Sequence, residues 1–227
     1  TTCDGKKKMY EFMSEFKDVF ILELPHKQTE AALQYWKSEI IRFKEYLEKK
    51  GYDVLITRDP GGNPISEAIR EVILNKDFTE MGYMTELLLY ASARAQLVKE
   101  NIKPALDAGQ AVIADRFVDS SAVYQGIGRG LGVDTVYKVN ELALQGIMPD
   151  MTFLMDLDAQ EGIARKKNQA ELDRMENEKL DFHQKVVDGY RKLADMHPER
   201  IVRIDATLPI DEIHGIIVGY VEKKLNL

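Results

Sequence analysis

Two hydrophobic periods take turns along this chain. Short apolar runs of strand length occupy 18–24, 52–57, 111–114, 151–157 and 200–205, and between them apolar residues recur every three to four positions. The first run, DVFILEL, is rich in β-branched and aromatic residues and stops at Pro25. Over 28–50 no Gly or Pro interrupts a helical pattern carried by Ala32, Trp36, Ile40, Phe43 and Leu47, and Gly51 closes it. The cluster at 60–64 reads as a turn, and 65–74 returns to helical spacing. A long helical stretch at 84–106 is expected to kink or restart at Pro104. After the run at 111–114, Gly126, Gly128, Gly130 and Gly132 predict a loop, and Asp134 is the expected N-cap of a helix ending at Leu144. Further helices are predicted over 161–167, 176–196 and 210–224, with 168–173 a polar connection and Pro209 opening the last.

Strands alternating with helices imply a parallel sheet with right-handed crossovers and helices on both faces. The expectation is one three-layer α/β domain over 18–227 with about five strands. Residues 1–17 are polar and weakly amphipathic, and read as an extension. Their Asp4-Gly5-Lys6 lacks the preceding strand that a phosphate loop needs.

Composition narrows the class. At 227 residues, 44% hydrophobic and 30% charged, the chain has the make-up of a soluble globular domain. A net charge of -7 argues against a nucleic-acid partner, which needs a basic footprint. The single Cys3 excludes an internal disulfide framework and fits a reducing compartment. No apolar run approaches the ~18 residues of a membrane span, and the lysines at 6–8 lack an apolar h-region behind them. A cytoplasmic protein is expected.

The candidate chemistry sits at strand ends, where open α/β sheets bind their ligands. The run at 111–114 ends in adjacent Asp115 and Arg116, although a strand can also end in charge without function. Arg58 precedes a Pro-Gly-Gly turn, so its planar fork can emerge at the carboxyl edge and meet phosphate oxygens; a solvated turn arginine is the bland alternative. Tyr90 and Arg94 are four apart on a predicted helix and share a face, where a ring can stack on a base and a cation can bond its edge. An aromatic at helical spacing can equally belong to the core.

Arg58-Asp59-Pro60-Gly61-Gly62, then Thr85-Glu86-Leu87-Leu88-Leu89-Tyr90-Ala91-Ser92-Ala93-Arg94-Ala95-Gln96, Asp115-Arg116-Phe117-Val118-Asp119-Ser120-Ser121 with Tyr124-Gln125-Gly126, and Asp173-Arg174-Met175-Glu176 together resemble the bacterial thymidylate kinase family. The likeness runs from about Tyr46 to the C-terminus. It implies a P-loop-kinase-like fold, transfer of a phosphoryl group from ATP to dTMP with Mg²⁺, and a homodimer. It further implies that Arg58 and Arg116 hold the dTMP phosphate, that Tyr90 stacks on thymine, and that Arg94 meets its O4. Ser121 and Gln125 match positions facing the base, where an amide both donates and accepts; a helical serine bonded to its own backbone is the alternative for Ser121. Asp115 matches the acid near Mg²⁺ and the reacting phosphates, and Arg165, Lys166, Lys167 and Arg174 resemble a basic lid over ATP, or else a solvated helix end. Catalytic roles therefore fall to Asp115, Arg116, Arg165 and Arg174.

One block of the family is missing. Between the first strand and helix a P-loop kinase carries GxxxxGK[ST], but this slot reads Glu23-Leu24-Pro25-His26-Lys27-Gln28-Thr29-Glu30. Without glycine, and with a proline lacking its N–H, it cannot form the nest of amides that cradles phosphates. Lys27 follows Glu23 by four residues, whereas the family's lysine follows its glutamate by seven. The expectation is a protein that binds dTMP or a related pyrimidine monophosphate with phosphoryl transfer weak or absent. Alternatives are an active kinase with an unconventional donor loop, and a nucleotide phosphohydrolase in which Asp115 or His26 activates water.

Overall fold

The computed structural model describes residues 19–23, 30–160, 173–175 and 178–227, with side chains from Ile40 onward. The apolar runs become five strands: β1 (Val19–Glu23), β2 (Val54–Arg58), β3 (Ala111–Asp115), β4 (Met151–Asp156) and β5 (Ile201–Asp205). All pair in parallel, in the order β2-β3-β1-β4-β5. The helices are α1 (Glu30–Lys49), α2 (Pro64–Leu74), α3 (Tyr83–Leu97), α4 (Lys103–Asp107), α5 (Val118–Ser121), α6 (Val133–Leu144), α7 (Leu180–Met196) and α8 (Ile210–Leu225).

Both faces of the sheet are covered, and the period of two along the strands decides what goes where. Ala111 and Ile113 of β3 point with Phe153 and Ile204 toward Phe43 and Leu47 of α1 and Ile217 and Val221 of α8. Val112 and Ala114 point the other way, into Leu97, Ile102, Leu106 and Leu144. On that second face Leu154 and Ile201 pack with Val186 and Leu193 of α7.

Three local expectations change. Pro104 does restart the long helix, but the adjustment precedes it: Val98–Ile102 is π-helical and Pro104 lies in the first turn of α4. A proline has no N–H for the helical ladder, and a wider turn ahead of it absorbs the mismatch. The glycine-rich stretch is not a loop as far as Gly128, because α5 continues as a π-helical segment, Ala122–Gly128. Gly128 is there for close approach: a Cβ on it would come within 2.8 Å of the Phe182 ring. Only Gly130 and Gly132, with φ of 76° and 87°, serve as turn residues. Gly132 takes the N-cap position of α6, and Asp134 sits in the first turn, where its charge faces the helix dipole. The N-terminal extension, the helix predicted over 161–167 and the connection at 168–172 lie outside the described residues.

Candidate functional site

Strand register brings the first group together. Arg58 pairs with Asp115 across β2 and β3, and Asp115 pairs with Leu22 of β1, so Arg58, Asp115 and Arg116 emerge side by side at the carboxyl edge. Arg116 adopts φ 65°, a left-handed conformation uncommon for a non-glycine residue, as the chain turns off the sheet into α5. Its guanidinium lies 5.7 Å from the Tyr124 ring centroid, with Nη1 3.4 Å from Ser120 Oγ. Burial pushes the Asp115 carboxyl above its ordinary range, against the pull of Arg116, Arg70 and Arg58. Its Oδ1 is buried without a hydrogen-bond partner among the described residues.

Arg58 is half exposed and grips Glu67 in two bonds, Nε to Oε1 at 3.2 Å and Nη2 to Oε2 at 2.7 Å. The Gly62 amide also donates to Glu67 Oε1 at 2.9 Å. A planar carboxylate thus occupies the fork that a phosphate would use, at an exposed pair whose net stabilisation is small. Arg70 of α2 joins this corner. Its Nη1 donates to Pro60 O at 3.0 Å, and burial followed by the charge of Arg58 lowers its pKa. Sequence reasoning passed over Arg70. The available signal was that α2 starts at the strand edge and Arg70 lies three residues past Glu67, on the side facing that edge.

The second group lies between α3 and the stretch formed by α5 and its π-helical continuation. Glu86, Tyr90 and Arg94 recur every four residues on α3; Ser121 and Gln125 do so on the facing stretch. Two polar rungs join them: Arg94 Nη2 to Ser121 Oγ at 2.9 Å, and Gln125 Nε2 to Glu86 Oε1 at 2.8 Å. Tyr90 occupies the level between the rungs. Its phenol is raised by burial first and by Glu86 next, against the pull of Arg116 and Arg70, which ties the ring to the basic corner.

Arg94 is far more committed to the protein than an exposed base-reading arginine. Its side chain is 1% exposed and forms an ion pair with Asp59 at 2.6 Å. Four of its five N–H groups bond to Asp59, Asn140, Ser121 Oγ and Phe117 O. One Nη1 hydrogen is left for another acceptor. Ser121 is likewise engaged with a side chain instead of its own backbone. Burial raises the Asp59 carboxyl while Arg94 opposes it, as for a charge held inside by one partner.

Arg174, expected in a lid over ATP, makes its contacts in the structure with α2 and α3. Its Nε donates to Ile73 O at 2.9 Å and its Nη2 lies 2.7 Å from Glu86 Oε2. Glu86, wholly buried, also receives Arg129, whose guanidinium stacks on Phe182 at 4.6 Å. Buried carboxylates hold such partners more firmly than surface ones, so Arg174 is anchored here as a clasp between α2 and α3. Arg165, Lys166 and Lys167, like His26 and Lys27, lie outside the described residues. Among the described residues no group of three or more His, Cys, Asp or Glu side chains could hold a metal ion, and no helix is long and apolar enough to cross a membrane.

A doubly covered parallel sheet with charged and aromatic side chains gathered outside its carboxyl edge defines an α/β protein of the nucleotide-binding kind. Within that class, residues 37–217 match the family model for thymidylate kinase. A thymidylate kinase of Geobacillus thermodenitrificans is 50% identical over 187 residues, covering 82% of this chain and 83% of that protein. Those of Thermoanaerobacter pseudethanolicus and Clostridium novyi are 46% and 44% identical, covering 83% and 82% of this chain and 93% and 92% of theirs. The chain belongs to the thymidylate kinase family. Residues 1–57 match a second model, for the D-component of 2-hydroxyglutaryl-CoA dehydratase, and the two matches overlap over 37–57.

Proposed function

We propose that this protein binds a pyrimidine nucleoside monophosphate, dTMP by its family, with the base beside Tyr90 and the phosphate at Arg58, Arg70 and Arg116. The observation that carries this reading is the pair of polar rungs bracketing Tyr90, next to a corner of three guanidinium groups. Like charges gathered at one edge favour an anion between them. The remaining Nη1 hydrogen of Arg94, the hydroxyl of Ser121 and the amide of Gln125 would serve the base edge. Residues 18–227 act as one thymidylate-kinase-like domain, and the exposed Met84 and Leu88 on α3 and Leu142 on α6, two helices packed on each other, support a homodimer, which light scattering would check.

The reading continues on the donor side. Phosphoryl transfer is weak or absent, because the segment 23–30 contains no glycine for a phosphate nest. Two further observations support this: the thymidylate kinase match begins at 37, after that segment, and a different family's model covers 1–57. A second reading, an active kinase with an unconventional donor loop, is favoured by Asp115, whose partnerless buried oxygen at the edge fits a cation. There Asp115 would hold Mg²⁺, which neutralises charge on ATP phosphates.

Calorimetric titration separates the possibilities. dTMP should bind much more tightly than thymidine, with the gap narrowing at high salt as the arginines are screened. Equal affinities for nucleotide and nucleoside would remove the arginine corner from the site. Titration with ATP and Mg²⁺ should give no binding on the first reading and clear binding on the second.

A further inference from the structure

Glu86 is wholly buried, yet no step of phosphate or base binding calls on it directly. It collects Gln125 Nε2 at 2.8 Å, Arg129 Nη2 at 3.1 Å and Arg174 Nη2 at 2.7 Å. A carboxylate held by two guanidinium groups accepts hydrogen bonds and donates none. Whatever lies against it must turn a donor toward it. For a glutamine amide this settles the orientation: the NH₂ end faces Glu86, and a flip would set Oε1 against a carboxylate oxygen. Gln125, itself buried, is thereby left with its carbonyl oxygen for a donor other than Glu86.

We propose that Glu86 is a positioning residue that fixes the amide of Gln125 so that its Oε1 reads the N3 position of a pyrimidine. This rests on the base-binding reading above and adds its selectivity. Thymine and uracil carry N3–H, a donor that meets Oε1. Cytosine presents a bare N3, so two acceptors would face each other. In this arrangement Glu86 excludes cytosine nucleotides without touching them, as a site built for one hydrogen-bond pattern rejects a ligand that cannot complete it.

The test is the ratio of dTMP to dCMP affinity in the full chain, measured by calorimetry. Wild type should favour dTMP. In Glu86→Gln the two guanidinium groups hold the carbonyl end of the new side chain and turn its NH₂ toward Gln125, so that amide flips, and the ratio should fall about tenfold to a hundredfold. The exchanged pair Glu86→Gln with Gln125→Glu restores a donor facing an acceptor and leaves a carboxylate oxygen for N3–H. It should recover most of the ratio, which a merely structural role for Glu86 would not do. A ligand-side measurement needs no variant: dTMP methylated at N3 should bind wild type at least about tenfold more weakly than dTMP. A folded Glu86→Gln that keeps the wild-type ratio, or equal binding of the N3-methylated nucleotide, would overturn the proposal while leaving the pyrimidine site standing. Failure of wild type to bind any pyrimidine monophosphate would instead overturn the reading beneath it.

Discussion

Arg94 shows how far one residue's role depends on its surroundings. The spacing of Tyr90 and Arg94 placed both on one helix face, and the structure keeps them there. What spacing could not reveal is the ion pair with Asp59, thirty-five residues away in sequence, because that partner is delivered by the sheet. Arg94→Ala would leave Asp59 as an unpaired buried charge. It should cost about 3–5 kcal/mol of folding stability in denaturant melts, beyond any loss of dTMP affinity. Glu86 makes a pH prediction. Burial raises its pKa, but hydrogen bonds from Arg129 and Gln125 outweigh that and hold it below the ordinary range. A depressed carboxyl contributes stability above its unfolded value, about 4.3 for glutamate, and loses it as pH falls through the folded value. Denaturation of wild type and Glu86→Gln should therefore differ most near neutrality and converge in acid. An unchanging gap down to strongly acidic pH would contradict the assignment.

At the scale of elements, the five strands and the helices between them were legible because one face of each had to be apolar, and the periods of two and 3.6 record that directly. Boundaries moved by a few residues, as with α7, which begins at Leu180 and not at 176. The glycine-rich segment misled for a physical reason. Glycine marks both flexible turns and places where another side chain must come close, and only the packed fold tells them apart. Gly128 belongs to the second kind, against Phe182, which in turn stacks on Arg129. Gly128→Ala should therefore destabilise by about 1–3 kcal/mol through overpacking. It should also weaken dTMP binding by disturbing the Arg129–Glu86–Gln125 chain. A neutral melting midpoint would show that the Phe182 ring can move aside.

For the whole molecule, most of the candidate site was readable from motif blocks, because its residues come from contiguous stretches at strand ends, on α3 and on the Val118–Gly128 stretch. Arg70 and Glu86 were not singled out, since their roles arise only when α2, α3 and the Val118–Gly128 stretch converge. The two family matches share 37–57 and otherwise cover different parts of the chain. The thymidylate kinase match spans the residues proposed for the acceptor, Arg58 to Gln125, whereas the match to the dehydratase component spans the segment where the family carries its donor loop. An acceptor site without a donor nest is thus the central claim. Its most direct test is the rate of dTDP formation from dTMP and ATP with Mg²⁺, for the unaltered chain and for one carrying a GxxxxGKT loop between Glu23 and α1. The account predicts turnover near background for the unaltered chain and a clear rise on grafting; unaltered turnover in the usual kinase range of about 1–100 s⁻¹ would contradict it.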